Sequence, residues 1–215
     1  MGSMSPPQLD SRLELDFAVA TAMSGDVLDV GAYRTMSDAQ TAAAPIVDAT
    51  DGRFARVYRV TYNVRTLVGR ATFRDSTTVL FDLLANGNYP FTDPASWVTS
   101  RPLPWSPHFR EGSVICLGEI WSSSKGEILL GHLLNHVAKL LNFDEVARGG
   151  GYVGWNAEAT AYWKKEMGER PISPGLVYPV PEPRLTHAVS GRATVFRPPQ
   201  RNAPRQTTFR ASNAR

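Results

Sequence analysis

One cysteine in 215 residues leaves no internal disulfide framework. A lone thiol fits a reducing compartment, so the expected location is the cytoplasm. No apolar run approaches the roughly 18–20 residues that a membrane-spanning helix needs, and no membrane partner is expected. The opening Met1-Gly2-Ser3-Met4 reads as an expression scar (1–4) followed by the native methionine, without an apolar signal-peptide stretch. Lysine is scarce: Lys125, Lys139, Lys164 and Lys165 are the full set. The net charge of +3 comes from the end of the chain, where Arg192, Arg197, Arg201, Arg205, Arg210 and Arg215 stand among no acidic residues. Without that tail the chain is slightly acidic. The rest has no interleaved basic and aromatic pattern, so a nucleic-acid partner would rest on the tail alone. Internal repeats are absent. Gly149-Gly150-Gly151 lacks the lysine and Ser/Thr of a phosphate loop, and no Gly-x-Ser-x-Gly elbow supports a serine hydrolase.

What is present is ordinary globular material, 42% hydrophobic and 20% charged. Leu9, Leu13, Phe17 and Ala20 recur at helical spacing and predict a helix over 8–23. The alanine-rich stretch 41–49 is ambiguous between helix and strand. From Arg56 the period becomes two: Tyr58, Val60, Tyr62 and Val64 form one strand. Val79, Phe81 and Leu83 form a second, and a third is expected around 96–99. Short turns between successive strands imply an antiparallel meander. The segment 101–109 is dense in proline and aromatics and cannot continue a ladder. Leu130, Leu133, Leu134, Val137, Leu140 and Leu141 then mark an apolar helix over 126–141, and another is expected over 157–166. One α+β domain is thus expected over 8–184. Residues 185–215 have too few apolar side chains to offset their ordering entropy, so a disordered tail is expected.

The chemistry concentrates in 106–121, SPHFREGSVICLGEIW. Cys116 stands between Ile115 and Leu117, with Ile120 nearby, and two readings are open. A cysteine of this kind can be a small apolar core residue. In an irregular, exposed segment it can instead be a nucleophile. His132 and His136 lie four apart on the apolar helix, the spacing of a metal pair. They lack a glutamate after His132 and a neighbouring carboxylate or cysteine cluster, so they read as a solvated helix face.

The order of elements and several local motifs resemble the ubiquitin-conjugating enzymes. Tyr89-Pro90 followed by Asp93-Pro94 is similar to the family's Tyr-Pro-x-x-Pro-Pro turn after the third strand. Ser106-Pro107-His108 sits where the family has His-Pro-Asn, with the family's spacing to Cys116. Ile115-Cys116-Leu117 matches the active-site tripeptide, Trp121 resembles the downstream tryptophan, and Asn156-Ala157-Glu158-Ala159 resembles the start of the post-catalytic helix. The resemblance covers roughly 8–168. It implies a UBC-like fold: an N-terminal helix, a four-stranded antiparallel meander, an active-site loop and two C-terminal helices. It also implies that Cys116 takes a ubiquitin-like protein from an activating enzyme as a thioester and passes it to an amine of a target protein. No metal or organic cofactor is needed. His108 would replace the amide donor to the oxyanion, and Asp144 or Glu145 would help deprotonate the acceptor amine. The chain departs from the family in its missing asparagine, in Gly112 lying four rather than three residues before the cysteine, and in an acidic first helix. These features look like the divergent bacterial members encoded beside a ubiquitin-like protein and its activating enzyme. The alternative is a non-catalytic module of the same fold that holds a ubiquitin-like protein without a covalent bond.

Overall fold

A computed structural model of the chain describes residues 4–110, 112–117, 120–124, 126–144 and 155–181. Glu145, the glycines at 149–151 and the arginine-rich tail lie outside the described residues. Helix α1 (Pro6–Ala22) starts two residues before the predicted 8. Prolines are tolerated in a first turn, where the backbone N–H has no partner to lose. Ser5 caps the helix, its N–H donating to Gln8 Oε1 at 2.9 Å. Leu13, Phe17 and Ala20 face the core as expected, and Asp16 shares that buried stripe.

Strand β1 (Leu28–Tyr33) follows, in a segment from which no strand was expected. Its alternation is broken by Gly31, where a Cβ would meet the Tyr33 ring at 2.7 Å, so the glycine makes room for the tyrosine. Helix α2 (Met36–Thr41) is capped by Thr35, whose side chain accepts from the Asp38 N–H. Past Thr41, where α2 ends, the ambiguous stretch is neither helix nor strand until a 3-10 turn at Ala49–Phe54. Strands β2 (Val57–Tyr62), β5 (Thr77–Asp82) and β6 (Ala95–Val98) correspond to the three expected, with Val64 and Leu83 falling just beyond the ends of β2 and β5. Between β2 and β5 the chain makes a small hairpin of β3 (Thr66–Gly69) and β4 (Thr72–Arg74).

The main sheet is antiparallel in the order β1-β2-β5-β6. Leu28 pairs with Tyr62, Val60 with Val79, and Phe81 with Ser96. One face packs on α1 and on α3 (Leu130–Leu141), with Tyr58, Val60, Tyr62, Val79 and Phe81 fully buried beneath them. The other face carries α2, where Ala39 meets Tyr33, Val57 and Leu80. Helix α4 (Ala157–Lys165) places Trp163 against Leu67 and Phe143. The molecule is therefore α+β, with an N-terminal helix, a four-stranded antiparallel sheet and C-terminal helices. No helix among the described residues is long and apolar enough to cross a membrane.

Helix α3 begins four residues after the predicted 126, because Gly126 has φ +82° and belongs to the loop packed on Pro90. That loop is held by α1. Asp16, with no exposed surface, accepts from Arg12 Nε at 2.7 Å, from the Tyr89 hydroxyl at 2.5 Å and from the Leu130 N–H at 2.7 Å. Leu130 is the first residue of α3, so a carboxylate from α1 satisfies one of that helix's orphan donors at its positive end. Arg12 in turn donates to the carbonyls of Gly126 and Ile128 and lies over the rings of Tyr89 and Trp121. Trp121 donates to the Pro90 carbonyl at 2.9 Å. Burial, the largest single influence, pulls the Arg12 guanidinium down, but the Asp16 charge, Tyr89 and the hydrogen bonds to both together outweigh it, and the net direction is upward. Arg12 stays a cation.

Removing one member of such a buried pair leaves the other charge uncompensated, which costs about 3–5 kcal/mol. Asp16→Ala is expected to lose that much stability in a urea titration. The double variant Arg12→Met/Asp16→Leu should lose less than Asp16→Ala alone. Additive losses in the two singles would mean the pair is not coupled.

Candidate active site

Residues 108–110 and 112–116 fold back on each other beside β6. Phe109 bridges to Ile115, the Arg110 N–H donates to the Val114 carbonyl at 3.3 Å, and the Cys116 N–H donates to the His108 carbonyl at 2.8 Å. The turn uses left-handed backbone at Gly112 (φ +90°) and Ser113 (φ +73°). Glycine enters that region without steric cost. Ser113 is anchored there by Arg101, which donates to its Oγ at 2.9 Å. The returning leg leans on the sheet, with Val98 donating to the Ser113 carbonyl at 2.9 Å and Val114 bridging to Trp97.

This leg shows which side of the backbone the thiol lies on. Its residues alternate as in a strand, so neighbours point to opposite sides. Ile115 and Leu117 are 4% and 6% exposed and belong to the main core, whereas Cys116 between them is only half-buried. The isoleucine and leucine do not enclose the sulfur; they anchor the backbone that presents it.

His108 is 7% exposed, and its carbonyl holds the Cys116 amide. Burial, then the nearby charge of His136, lowers its pKa to about 4. Ser106 is fully buried, its carbonyl accepting from the Phe109 N–H at 3.2 Å, as befits a turn residue. Asp144 lies past the end of α3, its N–H on the Lys139 carbonyl at 3.0 Å and its carboxylate hydrogen-bonded to Tyr178. Asn142 donates to the same phenol oxygen at 2.8 Å.

The predicted solvated face of α3 requires a correction. His132 is exposed, but His136 is partly buried and hydrogen-bonds the Leu117 carbonyl, directly after the thiol. Burial, followed by the Lys139 charge, lowers its pKa to about 4. Spacing along the helix gives no sign of this contact, since the partner comes from another segment. Among the described residues no three His, Cys, Asp or Glu side chains gather in a way that could hold a metal ion. Beside the loop opens a cleft of about 750 Å³, lined by Leu103, Trp105, Phe109, Arg110, Trp155 and Glu158 among others. The Trp155 N–H donates to the Pro107 carbonyl at 2.8 Å, and Arg110 lies 5.1 Å from the Trp155 ring.

The arrangement offers a half-buried thiol on an anchored strand leg whose backbone is held by His108 and His136, both kept neutral. Such a thiol can attack an acyl carbonyl and later leave from it. No family model matches the chain, and no curated protein matches its sequence.

The two histidines have a measurable consequence. Both are held near 4 when folded and return to about 6.5 when unfolded, so the unfolded chain binds more protons between these values. Their contribution to stability is complete above about pH 6.5 and is lost as the pH falls toward 4. At pH 4.5 the loss should be at least about 1 kcal/mol for each histidine. Melting temperatures of the wild type and of His108→Gln and His136→Gln, followed from pH 7 to 4.5, check this; each variant should show a shallower decline. Parallel curves would mean that neither imidazole is kept neutral by the fold.

Proposed function

We propose that the protein is a ubiquitin-conjugating-type transferase with Cys116 as its thioester carrier. The observation that carries this reading is the half-exposed thiol between two core-buried neighbours, on the leg that follows the last strand of a four-stranded meander. The surrounding order supports it. The sheet follows an N-terminal helix, Tyr89-Pro90 lies between its third and fourth strands, and two helices follow the cysteine. The UBC-like fold that the motifs imply has this succession of parts.

The chemistry is two acyl transfers. The Cys116 sulfur attacks the thioester carbonyl on the loaded activating enzyme. A new C–S bond forms as the old one breaks, and the activating enzyme's thiolate leaves. An acceptor amine then attacks the Cys116 thioester, a C–N bond replaces C–S, the amine proton passes to a base, and Cys116 leaves as thiolate. His108, neutral throughout this pH range, retains a ring N–H that can be turned toward the oxyanion once the loop is loaded. Asp144 is held by Tyr178 in the unloaded protein, and Glu145 follows it in sequence. A carboxylate from this pair assists the acceptor amine. The partners are a ubiquitin-like protein, its activating enzyme and a target protein, in the cytoplasm.

A second reading, the non-catalytic module, draws on one observation: His108 stands where the family has its asparagine, and it is buried. One experiment separates the two. Incubated with its cognate activating enzyme, ubiquitin-like protein and ATP, the wild type should gain an adduct that reducing agent removes. Cys116→Ala should abolish the adduct, and Cys116→Ser should give at most a reductant-resistant ester. A wild type that binds both partners but forms no adduct would establish the binding module instead.

A further inference from the structure

Nothing in the transfer chemistry above uses His136, yet it is the side chain of α3 that reaches the thiol's own strand leg. The Leu117 carbonyl it bonds belongs to the residue that follows the nucleophile. On the other side of the nucleophile, the Cys116 N–H is fixed to the His108 carbonyl at 2.8 Å. The backbone around the sulfur is therefore clamped at two points, one within the loop and one from a core helix. Helix α3 is a firm base for the second point: Leu133, Leu134, Val137 and Ala138, on both sides of His136, have no exposed surface.

Resting on the reading of Cys116 as a thioester carrier, we propose that His136 is a positioning residue: its ring N–H pins the Leu117 carbonyl to α3 and so fixes where the Cys116 sulfur stands. The ring is suited to this because it donates without bringing charge. The groups facing it are Lys139 on its own helix and His108 on the thiol loop, and burial together with the Lys139 charge keeps it neutral. The pin is therefore the same from pH 5 to 8, unlike one made by a histidine of ordinary pKa.

The test uses the full-length chain, and its alkylation and NMR readouts need no partner protein. Gln and Met have side chains of similar length, but only Gln can donate to a carbonyl. His136→Met should raise the rate of Cys116 alkylation by iodoacetamide about fivefold, the scale of losing one hydrogen bond, because a loosened leg exposes the sulfur more often. His136→Gln should stay within about twofold of wild type. In the loaded protein, His136→Met should slow discharge to an amine more than it slows loading, and His136→Gln should restore discharge. Nitrogen-detected NMR of the unmutated chain supplies a measurement independent of folding in the variants: the His136 ring should hold a single tautomer and show no titration between pH 5 and 8. Wild-type alkylation in His136→Met, failure of Gln to rescue, or a ring titrating near 6.5 with averaged tautomers would each overturn the proposal. Alkylation and NMR report on the pin even if no thioester forms, so failure of the transferase reading and failure of the pin give different results.

Discussion

The carboxylate of Asp16 is the point from which the rest of the structure hangs. It is fully buried, and a carboxylate taken out of water survives only with its acceptor sites filled. Here they are filled from three parts of the chain: Arg12 within the same helix, Tyr89 from the loop between the third and fourth strands of the sheet, and the first amide of α3. Arg12 extends the network to the carbonyls of Gly126 and Ile128, and Trp121 closes it on Pro90. Helix α1, the Tyr-Pro turn, the segment after the thiol and the start of α3 are thereby tied to one charge. With the start of α3 fixed, every later residue of that rigid helix has its place, including His136 beneath Leu117. A contact on α1 thus sets the position of a side chain beside the thiol, through a helix with a fully buried apolar stripe.

The elements most legible in the sequence are those with a continuous bulky apolar face. Strands β2 and β5 keep Tyr58, Val60, Tyr62, Val79 and Phe81 on the face that meets α1 and α3, although Val57 and Leu80 are also buried, under α2. Helix α3 announces itself through its leucines. Strand β1 was not legible, since Gly31 and Ala32 offer no bulky alternation and the room at Gly31 is claimed by Tyr33. Nor was the β3–β4 hairpin, whose strands of four and three residues are too short to show a period. Nothing in the spacing singles out Asp16, because it cannot tell that Tyr89 and Leu130 come to meet it from 73 and 114 residues away. His136 was missed for the same reason. Pattern reports which way a side chain faces, not what comes to meet it.

The site was legible to a similar degree. The sequence singled out Cys116 and left open whether Ile115 and Leu117 enclose it. Alternation along an anchored leg answers that, and it could be applied only once the leg was known to bridge to Phe109 and Trp97. The carboxylates were legible only as candidates: Asp144 engages Tyr178 at the far end of α3, and Glu145 lies outside the described residues.

Two largely desolvated histidines that hold the backbone on either side of a half-buried thiol invite comparison with sites where a cationic imidazole lowers a thiol's pKa. The present geometry works differently. Desolvation is the larger cause for each ring; a proton on His136 would also repel one on His108, and the Lys139 charge repels one on His136. Both rings therefore stay neutral and act through geometry rather than charge. That distinction would matter under the proposed function, in which the sulfur both accepts and releases an acyl group. A fixed cation beside it would make it a better leaving group but a weaker nucleophile, since thiolate nucleophilicity falls with the thiol's pKa. Hydrogen bonds to the flanking backbone constrain where the sulfur stands without biasing either half of the exchange. Neutral donors and a clamped backbone suit a carrier that receives and hands on at the same atom.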